Sequence, residues 1–141
     1  MKKQIMILAA ALLVGLTSCE KDDKLSNGKP LSKAEQLTQN PWNLEKTHTT
    51  TKANGQVIFN ESFPMTGTVT FKNDNTGVSV TPEDGTENFT WMLKGDSLII
   101  DGESAYLQKL TSKKMELQQS FTETDSAFGE IKVDIVMSLN R

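Results

Sequence analysis

Few side chains in this sequence have the type and spacing for chemistry: the single thiol of Cys19, the single imidazole of His48, the adjacent acids Asp22 and Asp23, and Asp74 between Asn73 and Asn75. A zinc site needs three or four Cys, His or acidic ligands, and His48 has no second histidine or other nearby thiol to join it. A Ser-His-Asp triad would have to pass through His48, and nothing in its Thr-rich surroundings places a serine and an acid beside it. Asp74 lacks the spaced acids and closing glutamate of a calcium loop, so a β-turn is the expected reading. Asp22 and Asp23 lie in a polar run that cannot hold two carboxylates at the fixed separation acid/base catalysis requires. No glycine-rich phosphate loop precedes a helix. The expectation is a non-catalytic protein with no cofactor and no metal. Cys19 is different, because its surroundings supply its chemistry. Lys2 and Lys3 precede an apolar run over 5–16, and the small Thr17 and Ser18 follow it, which is the order of an export signal. Twelve residues are too few to span a bilayer core, which takes roughly 20.

Leu16-Thr17-Ser18-Cys19 resembles the lipobox of bacterial lipoproteins. The resemblance implies cleavage between Ser18 and Cys19, a diacylglyceryl thioether on Cys19 and usually an acyl chain such as palmitate on the new amine. Each buried methylene contributes about 0.8 kcal/mol, so two or three chains hold a protein on a membrane where one does not. The competing readings are an ordinary secretory signal with an incidental cysteine, or a free cysteine in a cytosolic protein. Glu20-Lys21-Asp22-Asp23, followed by Lys24, resembles the surface-export signal of Bacteroidota lipoproteins, implying an outer-membrane protein facing the cell exterior. A solvated spacer on a protein of the periplasmic face is the alternative.

Residues 1–18 contain two of the chain's 15 basic residues and none of its 18 acids, so the remaining 123 residues carry a net charge of −5. That charge disfavours nucleic acid and anionic lipid surfaces. With its only thiol lipidated, the mature chain has no disulfide and depends on a packed core, for which its length suffices. The expected organisation is a signal peptide over 1–18, a tether over 19–31 with Asn27-Gly28 and Pro30 as breakers, and a domain over 32–141.

Ser32-Lys33-Ala34-Glu35 fits a capping box, and Asn40-Pro41 stops the helix it starts, predicting one short helix over 33–39. From Trp42 the period changes to two, most plainly at Met65, Gly67, Val69 and Phe71 and at Ile131, Val133, Ile135, Met137 and Leu139. About nine short strands, mostly of five to seven residues, follow from such runs. Tight turns around residues 73–75, 83–85, 94–96, 101–103 and 111–113 join them, and only 125–129 is long enough for a crossover. A meander of eight or nine strands protects its edges best by closing on itself. The predicted fold is therefore an all-β, up-and-down antiparallel barrel with a short N-terminal helix at one end. Thr, Lys, Glu and Gln on the polar face of short strands argue against a lipid-facing barrel.

The order of Leu37 and Trp42, Thr68-Val69-Thr70-Phe71, Gly77, the segment Phe89-Thr90-Trp91-Met92-Leu93-Lys94-Gly95-Asp96-Ser97-Leu98-Ile99-Ile100, and Tyr106-Leu107 before Met115-Glu116-Leu117 is similar to small lipocalin-like lipoproteins of Bacteroidota. The resemblance spans nearly all of the mature domain and implies a barrel that either encloses one small apolar ligand or is filled by its own side chains. Trp42, Phe71, Trp91 and Tyr106 are the candidate core or ligand-lining residues, with Val57, Phe59, Phe121, Val133 and Ile135 among further inward candidates. The two tryptophans read first as core plugs. Asp96-Ser97-Leu98 and Asp125-Ser126-Ala127 resemble the O-glycosylation acceptor of the same phylum, with Ser97 and Ser126 as the modified hydroxyls in turns. The functional expectation is a surface-tethered binder of a small apolar molecule or a glycan. The alternative is an accessory protein of an envelope complex, with a filled barrel and an exposed apolar patch.

Overall fold

The computed structural model describes residues 25–26 and 29–141. Two short strands, β1 (Leu25–Ser26) and β2 (Lys29–Pro30), pair in the tether, and helix α1 (Lys33–Thr38) opens the domain. The capping box forms as its residue types require: the Ser32 hydroxyl accepts the Glu35 N–H at 3.2 Å, and the Glu35 carboxylate accepts the Ser32 N–H at 2.7 Å. Nine strands follow: β3 (Trp42–Ala53), β4 (Gln56–Pro64), β5 (Thr68–Phe71), β6 (Thr76–Thr81), β7 (Gly85–Lys94), β8 (Ser97–Ile100), β9 (Glu103–Leu110), β10 (Lys114–Asp125) and β11 (Gly129–Asn140).

Each strand from β5 to β11 pairs antiparallel with the next, and β11 pairs with β3, which pairs with β5 through Trp42 and Asn43. This closes an eight-stranded barrel. The ninth strand, β4, pairs only with the upper part of β3, from Lys46 to Ala53, and leaves its other edge free.

Strand lengths give the barrel an uneven rim. On one side β8 is 4 residues and β9 is 8, whereas β3, β10 and β11 are 12 each and β4 is 9. The long strands continue past the closed ring as a four-stranded lip in the order β4-β3-β11-β10. These lengths correct the expectation of strands mostly of five to seven residues, so strand length no longer argues against a lipid-facing barrel. The outward face of the lip is nevertheless polar, with Lys46, His48, Thr50 and Lys52 alternating along β3 and Lys132 and Asp134 along β11. Residues 126–128 form a tight turn rather than a crossover, because the Asp125 carboxylate accepts the N–H groups of Ala127 and Phe128 at 2.7 and 2.9 Å. Asn54 and Gly55, with φ of 49° and 81°, supply the two left-handed positions of the β3–β4 hairpin. Met65 and Gly67 fall before β5 rather than within it. Among the described residues no helix is long and apolar enough to cross a membrane.

Candidate functional site

The two ends of the barrel differ. At the closed end α1 lies across the opening, with Leu37 and Trp42 fully buried beneath it. The Trp42 indole donates to the Leu37 carbonyl at 3.1 Å, and the Arg141 guanidinium stacks 3.7 Å from the centre of the same ring. Arg141 also donates to the Gln36 and Leu37 carbonyls at the C-terminal end of the helix, where unpaired carbonyls need donors. Burial pulls its guanidinium down to about 10, which leaves it charged at neutral pH. Next in the stack, Phe71 meets Phe89 and Trp91 edge to face, each at 5.5 Å between ring centres. The Trp91 N–H is shared between the carbonyls of Lys72 and Thr76 at 3.1 and 2.9 Å. Phe89 lies over Gly77, its cross-strand partner, so closely that a β-carbon there would sit 2.1 Å from the ring. Leu98, Leu107, Met115, Leu117 and Leu139 complete this core.

Trp42, Phe71 and Trp91 are thus core plugs, and the indole N–H of each tryptophan is satisfied. Tyr106 is not part of the core: Ala105 and Leu107 take the inward positions of β9, and Tyr106 points out and is half exposed. Val57 also faces outward, because a register shift between Thr51 and Lys52 pairs it with Lys52. Phe59, Phe121, Val133 and Ile135 do lie on the inward side, but on the lip beyond the closed ring. The sequence carries no sign of that difference, since alternation marks a face and not what stands opposite it.

At the open end there is a cavity of about 280 Å³ lined by Leu44, Met65, Val69, Phe89, Ile100 and Met137, with Ser79, Glu87, Asn88 and Asp101 at its rim. Its apolar lining continues without a break onto the inner face of the lip. Met137, Ile135 and Val133 follow one another along β11, opposite Thr47, Thr49 and Thr51 of β3. Phe63 and Phe59 flank them on β4, stacked with ring centres 6.3 Å apart, and Phe121 flanks them on β10. Phe59, Phe63 and Phe121 are 38, 47 and 49 % exposed, far more than a packed wall allows. The site is a shallow cup with one tall apolar wall.

A larger hollow of about 440 Å³ lies among Asp74–Thr76, Thr90–Met92, Ile99, Asp101 and Gly102. Its acids are engaged in turn geometry. Asp74 accepts the Thr76 N–H and hydroxyl, which hold its carboxyl below the usual range, and Asp101 accepts both groups of Thr90. The turn expected at Asp74 is present, and the smaller mouth cavity is the better candidate because its apolar lining leads onto the exposed Phe59, Phe63 and Phe121 of the lip.

His48 sits half-buried on the outward face of the lip, its ring nitrogens 2.8 Å from the Ser62 hydroxyl and 3.4 Å from the Thr50 hydroxyl. Thr50 in turn donates to the Asn60 side chain at 3.0 Å. A serine does stand beside the histidine, supplied by strand pairing that spacing along the chain does not reveal, but the second ring nitrogen faces a hydroxyl and not an acid. Among the described residues no group of three His, Cys, Asp or Glu side chains could hold a metal. Ser126 is exposed in the β10–β11 turn, whereas Ser97 opens β8, half-buried and paired with Lys94 and Tyr106, rather than sitting in the turn. Asp96 beside it is bound by the Lys33 ammonium. Cys19, Ser18 and the run Glu20, Lys21, Asp22 and Asp23 lie outside the described residues. Comparison with protein-family models, with curated proteins and with solved structures finds no match.

Proposed function

We propose that this chain is a non-catalytic, lipid-anchored protein of the bacterial outer envelope that takes up a small apolar molecule at the open mouth of a lipocalin-like barrel. The observation that carries the binding reading is the mouth cavity continuing onto an uncovered apolar wall. Exposed Phe and half-buried Val and Ile side chains on one face of a sheet are stabilised by whatever removes them from water, at about 25 cal/mol per Å² of apolar area. The anchor rests on the sequence around Cys19, and the cell-surface destination on Glu20 to Asp23. In this arrangement the tether enters beside α1, so the closed end faces the membrane and the mouth faces away from it.

Native mass spectrometry of the protein from its own membranes tests the binding reading: a retained small molecule is expected, and a bare acylated chain contradicts it. Cys19→Ala should leave the membrane fraction; retention there would remove the anchor from the account. Replacing Lys21, Asp22 and Asp23 with alanine should protect the domain from protease on intact cells.

A second reading, an accessory subunit of an envelope complex, is favoured by the free edge of β4, whose backbone and stacked Phe59 and Phe63 could receive a partner strand. A photo-crosslinker at Phe63 in the native envelope separates the two, since a small-molecule adduct supports the first reading and a discrete protein adduct the second.

A further inference from the structure

The cations of this barrel are confined to one face, whereas its acids stand on both, Asp134, Glu116 and Glu130 outward and others inward. Strand pairing fixes which residues share a face, because directly paired residues point to the same side and their neighbours to the other. On the inner side Glu61 pairs with Thr49, Glu87 with Ser79, Glu103 with Ile100 and Glu123 with Ile131. The strand lysines fall on the outer side: Lys46, Lys52 and Lys132 on the lip, Lys94 on β7 and Lys114 on β10. Among the described inward strand positions there is no lysine, arginine or histidine. Glu87 lines the mouth cavity itself, and Asp101 beside it is held by the N–H and hydroxyl of Thr90. Glu103 stands at the low side of the rim, and Glu61 and Glu123 flank the tall wall.

We infer that the occupant of this trough is a cationic amphiphile: a small molecule with an alkyl or aryl body and an amine or other positively charged head. This rests on the reading of the mouth as a binding cavity and adds the charge of what it takes. The apolar lining of Leu44, Val69, Ile100 and Met137 receives the body. The head emerges where the inward strand charges are negative and where the apolar wall reduces the water available to screen it. A fatty acid or other anion would meet carboxylates with no inward cation to pair with, which disfavours the ligand class that an apolar cup by itself would favour.

The test uses the chain from residue 20 to 141, which keeps every described contact, and three probes sharing one octyl chain: octyltrimethylammonium, octanol and octanoate, each below its micelle concentration. Titration calorimetry at low salt should rank them cation, alcohol, anion. The cation should bind roughly tenfold more tightly than the anion, the sum of several partly screened interactions. That ratio should fall toward one in about 0.5 M salt, where the screening length is a few Å. Glu87→Gln combined with Glu103→Gln should reduce the cation-to-anion ratio likewise, and an unaltered melting temperature confirms that these surface changes leave the fold intact. Equal saturable affinities for the three probes, or tightest binding of octanoate, would overturn the charge inference and keep the cavity. If none of the three saturates, the cavity reading falls as well.

Discussion

The closed end and the open end of this barrel are built from the same alternation of inward side chains and differ in what those side chains meet. At the closed end Trp42 finds Leu37, Arg141 and a carbonyl for its N–H, and Trp91 finds Phe71 and two carbonyls. At the open end Val133, Ile135, Phe59 and Phe63 follow the same parity onto a wall that faces solvent. One end of a single sheet therefore carries the stability and the other is free to carry recognition. Stability and ligand affinity should separate cleanly in mutants of the two ends.

The largest effect expected is on stability at the closed end. Trp42→Ala removes the buried plug and leaves the helix and Arg141 without a surface, costing about 3–5 kcal/mol and lowering the melting temperature in differential scanning calorimetry by about 10 °C or more. Gly77→Ala follows, because its new β-carbon must displace the Phe89 ring from its place against Phe71; about 1–3 kcal/mol is expected from chemical denaturation. Arg141→Ala should cost about 2 kcal/mol, combining the lost stacking on Trp42 with the lost helix-end hydrogen bonds.

A smaller effect belongs to the helix cap. The Ser32 N–H, and secondarily the Ser32 hydroxyl, hold the Glu35 carboxyl below its usual range. A carboxylate with a depressed folded-state pKa adds stability at pH values above its unfolded pKa and loses it as pH falls through the folded one. Stability should therefore drop by a small increment as pH is lowered past about 4.3, the ordinary glutamate value. Urea midpoints of the wild type and Glu35→Gln at neutral and acid pH check this, since the glutamine variant should lose that increment at neutral pH and show no corresponding fall.

The smallest effect on stability is expected at the lip. Phe63→Ser should change unfolding free energy by no more than about 0.5 kcal/mol, as at other exposed sites, while weakening octanol binding severalfold. Equal losses of stability at Trp42 and Phe63 would erase the distinction between the two ends.

Much of this was legible in the sequence. The capping box at Ser32 and Glu35, the turn residues at Lys94-Gly95-Asp96 and Asp101-Gly102, and the alternation from Val69 to Leu139 give an all-β meander and one short helix by local rules alone. Barrel closure followed from the need to protect edges. The lip was not legible, because Ile131 and Val133 alternate just as Met137 and Leu139 do, and only the short β8–β9 side reveals that they have no opposing wall. Tyr106 misled for a related reason: an aromatic residue between two inward positions reads as core until strand parity turns it outward. Ser62 beside His48 and the absence of lysines from the inner face both depend on register between strands, a property no single strand displays.

The most direct test of an open, receptive end is methyl NMR of the domain titrated with octanol. Saturable shifts are expected at Leu44, Met65, Val69, Ile100 and Met137, and little change at Leu98, Met115 and Leu117 of the filled core. Shifts confined to the filled core, or none that saturate, would contradict it.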